Sequence, residues 1–255
     1  MRVLAALPML LTAGCVGSTG GESFQFDAYA AGPESARSGS YAFVNGRGYA
    51  VELSRARLHV GAVYLNSAVQ TSVASDTSCT LAGIYVAEVT SGLDVDLLSG
   101  TLQRFPGRGS ATSDRALSGE VWLTGGAIDA ESDATVILDV AGVAAKDGTE
   151  YPFGGTLTIG QNRALPPPNP ALPGARPICK QRVVTPIPLE LTGTPGDELL
   201  LRVDPAGMFS NVDFSTLETA QDGGVRFADD SRNQASDNLY NGLRASRGVY
   251  SFDWR

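Results

Sequence analysis

Alternation of apolar and polar residues with a period of two dominates the chain and predicts short β-strands. Phe24, Phe26 and Ala28 alternate with Gln25, Asp27 and Tyr29, and Tyr49, Val51 and Leu53 alternate with Ala50, Glu52 and Ser54. The strongest strand is expected over 56–65, with Ala56, Leu58, Val60, Ala62 and Tyr64 on one face. Its other face runs Arg57, His59, Gly61, Val63, Leu65, polar at first and then apolar, as in a strand that leaves solvent and becomes covered on both faces. Further strands are expected over 82–89, 93–98, 117–124, 134–144, 151–159, 183–191, 198–204 and 248–254. Asp147-Gly148 tolerates the positive φ of a tight hairpin turn between 134–144 and 151–159. Pro186 and Pro188 cannot donate to a ladder, so 183–191 is an edge strand or is irregular in its first half. One helix stands out, Ser236 to Ala245. Ser236 can cap it, Asp237 suits its positive end, and Leu239, Tyr240 and Leu243 form an apolar stripe. A shorter helical turn is expected near Asp213 to Leu217.

Many short strands with one late helix give an all-β fold, expected as a single β-sandwich over 24–255. The pattern resembles immunoglobulin-like sandwiches in architecture alone, because the Cys-Trp-Cys spacing of true immunoglobulin domains is absent. Residues 164–177 hold six prolines and no alternation, as in a linker or a long surface loop. Cys79 and Cys179 form an even pair in a chain that reads as exported, so a disulfide between them is expected. Closing a loop of about 100 residues stabilises by roughly 4.7 kcal/mol on the chain-entropy account. Such a bridge would span the proline-rich segment and favours a loop within one domain.

The first residues carry an address. Arg2, the apolar run Val3 to Leu11 and the small residues Thr12-Ala13-Gly14 lead into Cys15. Charge, length and small residues match a secretory signal, and the run is too short to span a bilayer. The ending resembles the lipobox of bacterial lipoproteins, with Thr12 standing where that family usually has Leu. The resemblance implies a signal peptide over 1–14, cleavage before Cys15, and diacylglycerol and acyl chains on Cys15, enough for stable anchoring. Residues 15–23, rich in Gly and Ser, are then a flexible tether. Val16, which is not Asp, favours the outer membrane by the same resemblance.

Charge narrows the partners. The chain carries a net charge of −8, and loss of residues 1–14 removes Arg2 and no acid, leaving −9. Such a body has no electrostatic reason to seek nucleic acid or anionic lipid. The expected partners are the membrane, through the lipid, and an envelope protein. The terminal alternation Tyr250, Phe252, Trp254 reads as the buried face of a last strand, with strand addition to a partner as the alternative.

Catalytic chemistry is poorly represented. His59 is the one histidine, no Gly-x-Ser-x-Gly or Ser-x-x-Lys is present, and no phosphate-binding glycine motif occurs. Acidic groupings at Asp94 with Asp96, and at Asp129, Glu131 and Asp133, are the carboxylate sets open to glycosidase chemistry. For a metal, Asp229, Ser231, Asn233 and Asp237 fall at EF-hand-like offsets, with Gln234 in the glycine place and Tyr240 in the glutamate place. His59 is a further candidate ligand or base beside Arg57. The expectation is a lipid-anchored, non-enzymatic binding or scaffolding module without a cofactor, the alternative being a module that binds calcium or a small ligand.

Overall fold

The computed structural model describes residues 21–36, 39–69, 83–161, 177–219, 223–229 and 233–255. Their backbone forms three sheets around one apolar core. The six-stranded sheet is built from β1 (Ser23–Phe26), β9 (Gly109–Thr112), β6 (Tyr85–Val89), β5 (Ala62–Asn66), β10 (Ala116–Trp122) and β13 (Val183–Leu191), in that lateral order. The seven-stranded sheet runs β15 (Glu218–Thr219), β16 (Val225–Phe227), β12 (Thr149–Thr158), β11 (Val136–Lys146), β4 (Ala50–Val60) and β3 (Tyr41–Val44), with β7 (Leu93–Asp96) also on β4. The third sheet is β17 (Tyr250–Trp254), β14 (Leu199–Val203), β2 (Ala28–Ala31) and β8 (Gln103–Arg104).

The all-β, sandwich-like expectation holds. The third sheet and the parallel pairings β14–β2 and β12–β16 depart from the two-sheet antiparallel immunoglobulin plan. The expected hairpin is present, with Asp147 and Gly148 both at positive φ (52° and 79°) between β11 and β12. Strand β13 carries Pro186 and Pro188 and lies at the sheet edge, paired to β10 alone. Tyr250 and Phe252 face the core, and Trp254 packs edge-on against Phe26 at 4.8 Å, so the terminal alternation is a buried face. The aromatic residues Phe153, Phe209, Phe214 and Phe227 form a second packed group, with Phe153 and Phe214 4.8 Å apart.

Three features differ from the alternation. The strand expected over 56–65 is two strands, β4 and β5, which belong to different sheets. They meet at Gly61, whose N–H donates to Trp122 O at 2.8 Å, and a Cβ there would run into the Thr124 carbonyl. Alternation inverts across this glycine. Ala56, Leu58 and Val60 point inward before it, whereas Val63 and Leu65 point inward after it, so Tyr64 faces outward and not to the core. The last helix, α3 (Gln234–Leu243), starts two residues earlier than expected because Asn233 caps it, accepting from Ser236 N at 3.0 Å. Ser236 serves instead as an acceptor for Ala228 N at 3.1 Å. Two further short helices, α1 (Cys179–Arg182) and α2 (Pro205–Met208), and a 3-10 turn over Phe214–Thr216 complete the described helical content.

Cys179 is buried and disulfide-bonded, while Cys79 lies outside the described residues, as do Cys15, the signal and most of the proline-rich 164–177 segment. Three residues on, Arg182 is completely buried. Its Nε donates to Ile159 O at 3.0 Å, and Nη1 reaches the carbonyls of Ala127, Ile128 and Ala130 at 3.3, 3.1 and 2.8 Å. One guanidinium thus pins the 127–130 loop to the end of β12.

Candidate binding site

The outer face of the six-stranded sheet carries polar and aromatic residues where a bare solvent face would be expected. In register, Ser110 lies opposite Glu88, Glu88 opposite Tyr64, and Tyr64 opposite Glu120, a row across β9, β6, β5 and β10. The next row holds Tyr85, Asn66 and Ser118. Tyr85 joins this face through a bulge in β6. Val86 and Ala87 both turn inward, and the shift in pairing after Leu65 sends Tyr85 outward. Tyr64 then sits between Tyr85 and Trp122, its ring centroid 4.8 and 4.7 Å from theirs.

Glu120 is the buried centre of this face. It is 0% exposed, with Asn66 Nδ2 donating to Oε1 at 3.0 Å and Trp122 Nε1 donating to Oε2 at 3.1 Å. The Tyr85 hydroxyl also bonds to it. Burial first, then the charge of Glu120 and the neighbouring Tyr64, push the Tyr85 hydroxyl far above the usual phenol range. Burial followed by the carboxylates of Glu88 and Glu120 also raises Tyr64. Both phenols therefore stay neutral donors at any physiological pH.

Beside Tyr85 the sheet opens. Strands β6 and β9 pair only through Ala87–Ala111 and Glu88–Ser110, while β9 stays paired to β1 as far as Ser23–Thr112. The divergence leaves a cleft of about 380 Å³, within the roughly 300–1,000 Å³ typical of small-ligand sites. Ser23, Gln25, Ser110 and Thr112 line one side, and Tyr85 and Glu88 the other. Glu88 is exposed and accepts from Ser110 Oγ at 3.2 Å. The cleft thus offers one carboxylate, several hydroxyls and an aromatic ring, a set suited to holding a cationic group.

The residues singled out from sequence lie elsewhere and do not converge. His59 Nδ1 is 2.6 Å from Asp94 Oδ1 across β4 and β7, where Arg57 likewise faces Asp96. Asp96 Oδ1 accepts from Leu98 N at 3.0 Å. Asp94 and Asp96 are thus cross-strand partners, not a catalytic pair across a cleft. Both oxygens of Asp229 accept from Thr158 N at 2.9 Å, Asn233 caps α3, and Asp237 occupies its first turn. Ser231 lies outside the described residues. Among the described residues no three His, Cys, Asp or Glu side chains gather as a metal site.

Asp133, from the second acidic grouping, is structural. Its carboxylate accepts from Thr135 N at 2.9 Å, Thr124 Oγ1 at 2.9 Å and Gly125 N at 3.1 Å. Burial alone would raise it, but these donors together outweigh burial and hold it at about 2. A carboxylate depressed on folding contributes stability that is complete above its unfolded value and is lost as pH falls through that value toward the folded one. Asp133→Asn is therefore expected to lower stability by about 1–2 kcal/mol at pH 7, after discounting for partial exposure. The deficit should shrink between about pH 4 and pH 2, as followed by urea unfolding at each pH.

The cleft and the Glu120 network carry no sequence motif. Ser118, Glu120 and Trp122 share one parity of an expected strand, but alternation alone marks them as solvent-facing. Tyr64 and Tyr85 reach them only through the Gly61 inversion and the β6 bulge.

No protein-family model matches this chain, and no curated protein does. Among solved structures, MbnP from Methylosinus trichosporium is similar over 91% of this chain and 98% of its own, with 11% identity and a TM-score of 0.38. That likeness is too distant to bear on what this chain binds.

Proposed function

We propose that this protein is a lipid-anchored, non-enzymatic binding module of the cell envelope that takes a small cationic ligand in the cleft between β9 and β6. The observation that carries the reading is the joint placement of Glu88, Tyr85 and the hydroxyls of Ser110 and Thr112 around that cleft. A carboxylate next to an aromatic ring favours an ammonium group over a neutral one, and the neighbouring hydroxyls accept from its N–H groups. Glu120 holds the Tyr85 hydroxyl and Trp122 packs against the Tyr64 ring from the same face, so the wall is preformed. The lipobox resemblance and the acidic body support attachment through Cys15 rather than through charge.

The test is calorimetric titration of the full chain, in detergent micelles, with benzylammonium chloride. Saturable heat is expected. Tyr85→Ala and Glu88→Gln should each weaken binding by roughly 2- to 5-fold, the scale of one exposed cation–π or charge contact. Absence of saturable heat, or variants that bind as the parent does, would overturn the assignment of the cleft.

A further inference from the structure

We infer that the cation taken by the cleft is a linear diamine, held by one ammonium at each end with its methylenes along the floor. The inference rests on the reading of the cleft as a cation site and adds the class of cation it selects. Ala111 belongs to the core, so its neighbours Ser110 and Thr112 share the outer face of β9, roughly 7 Å apart. Each hydroxyl gives its single proton to a carboxylate. Ser110 Oγ donates to Glu88 Oε1 at 3.2 Å, and Thr112 Oγ1 donates to Asp114 Oδ2 at 2.8 Å. With those protons committed, both hydroxyls and both carboxylates act toward the cleft as acceptors alone. Two acceptor pairs result, Glu88 with Ser110 and Asp114 with Thr112, one on either side of Ala111.

A monoamine satisfies one of these pairs and leaves the other to water. Among the residues lining the cleft there is no Lys, Arg or His to neutralise either carboxylate. The basic residues that flank β9 in sequence are engaged elsewhere. Arg108 binds Asp27 and the Gln25 carbonyl, and Arg115 binds Glu190 on β13. Between the two pairs the cleft is lined by Val86, Ala87 and Ala111, an apolar floor that methylenes cover and a polar linker would not. An extended four-carbon chain sets its two nitrogens about as far apart as the two hydroxyls stand. The chemistry that fits is therefore an ammonium, a short aliphatic spacer and a second ammonium.

The experiment is calorimetric titration of the full chain in detergent micelles with 1,4-diaminobutane, butylamine and benzylammonium. Low salt is used because Glu88 and Asp114 are both exposed. At pH 7 the diamine should bind roughly 4- to 10-fold tighter than butylamine, a factor of two from its equivalent ends and the rest from one more exposed charge contact. Asp114→Asn keeps the shape and removes the charge, and should bring that advantage back to the factor of two. No saturable heat with any of the three amines would overturn the cleft as a cation site and this inference with it. Monoamines that bind, with a diamine no more than twofold tighter or an advantage that survives Asp114→Asn, would overturn this inference alone.

Discussion

Replacing Arg182 with Met should destabilise the protein by about 3 kcal/mol, more than any surface substitution. The guanidinium supplies donors to the carbonyls of Ile159, Ala127, Ile128 and Ala130 from a fully buried position. Met fills much of the volume but donates nothing, and each buried carbonyl left without a donor costs about 1–3 kcal/mol. Two effects hold the sum down. Ala127 is exposed and Ile128 and Ala130 are half-buried, so their carbonyls regain water, and a costly buried charge is removed. Arg182→Lys should recover less than half of the loss, because a single ammonium cannot reach both the β12 end and the loop. Urea unfolding gives the magnitude, and limited proteolysis should show new cleavage within 125–134. A loss under 1 kcal/mol would mean that the loop holds its place without the arginine.

Arg182 also shows where alternation stops being informative. In sequence it is an ordinary arginine two residues beyond Lys180, and no periodic signal marks a charged side chain that will be buried under a loop some fifty residues earlier. Elements set by local chemistry were legible: the Asp147-Gly148 hairpin, the proline-bearing edge strand β13, the terminal Tyr250–Trp254 face, and the late helix to within two residues. What failed was parity. Gly61 reads as one more residue of a long strand, yet its close approach to Thr124 carries the chain from one sheet to another and inverts the faces. The bulge at Val86–Ala87 does the same for Tyr85. Since side chains alternate with a strict period of two, each single-residue irregularity moves every following side chain to the other face.

The candidate site depends on those two irregularities, which is why it was not foreseen. Glu120 and Trp122 lie on an expected strand and Asn66 one residue beyond another, but the burial of Glu120 and Asn66 depends on tertiary contacts. Of the residues that sequence singles out, His59, Asp94, Asp96, Asp229 and Asn233 have the right chemical types and form cross-strand pairs, turn contacts and a helix cap, while Asp237 sits in the first turn of α3. Oxygen-bearing side chains at metal-like offsets are also the residues that cap helices and close turns, and spacing alone does not separate these roles.

The proposed location passes through Cys15, and the expected effect there is all-or-none. The lipid proposed on Cys15 would hold this acidic body to a membrane, and no described helix is long and apolar enough to cross one. Several acyl chains would give effectively permanent attachment, where a single chain would be marginal. The decisive measurement is incorporation of labelled fatty acid, with membrane fractionation, for the full chain and for Cys15→Ser in a lipoprotein-processing bacterium. The account predicts a labelled, membrane-bound parent and an unlabelled variant recovered away from the membrane. Equal labelling and equal membrane association of the two chains would contradict it.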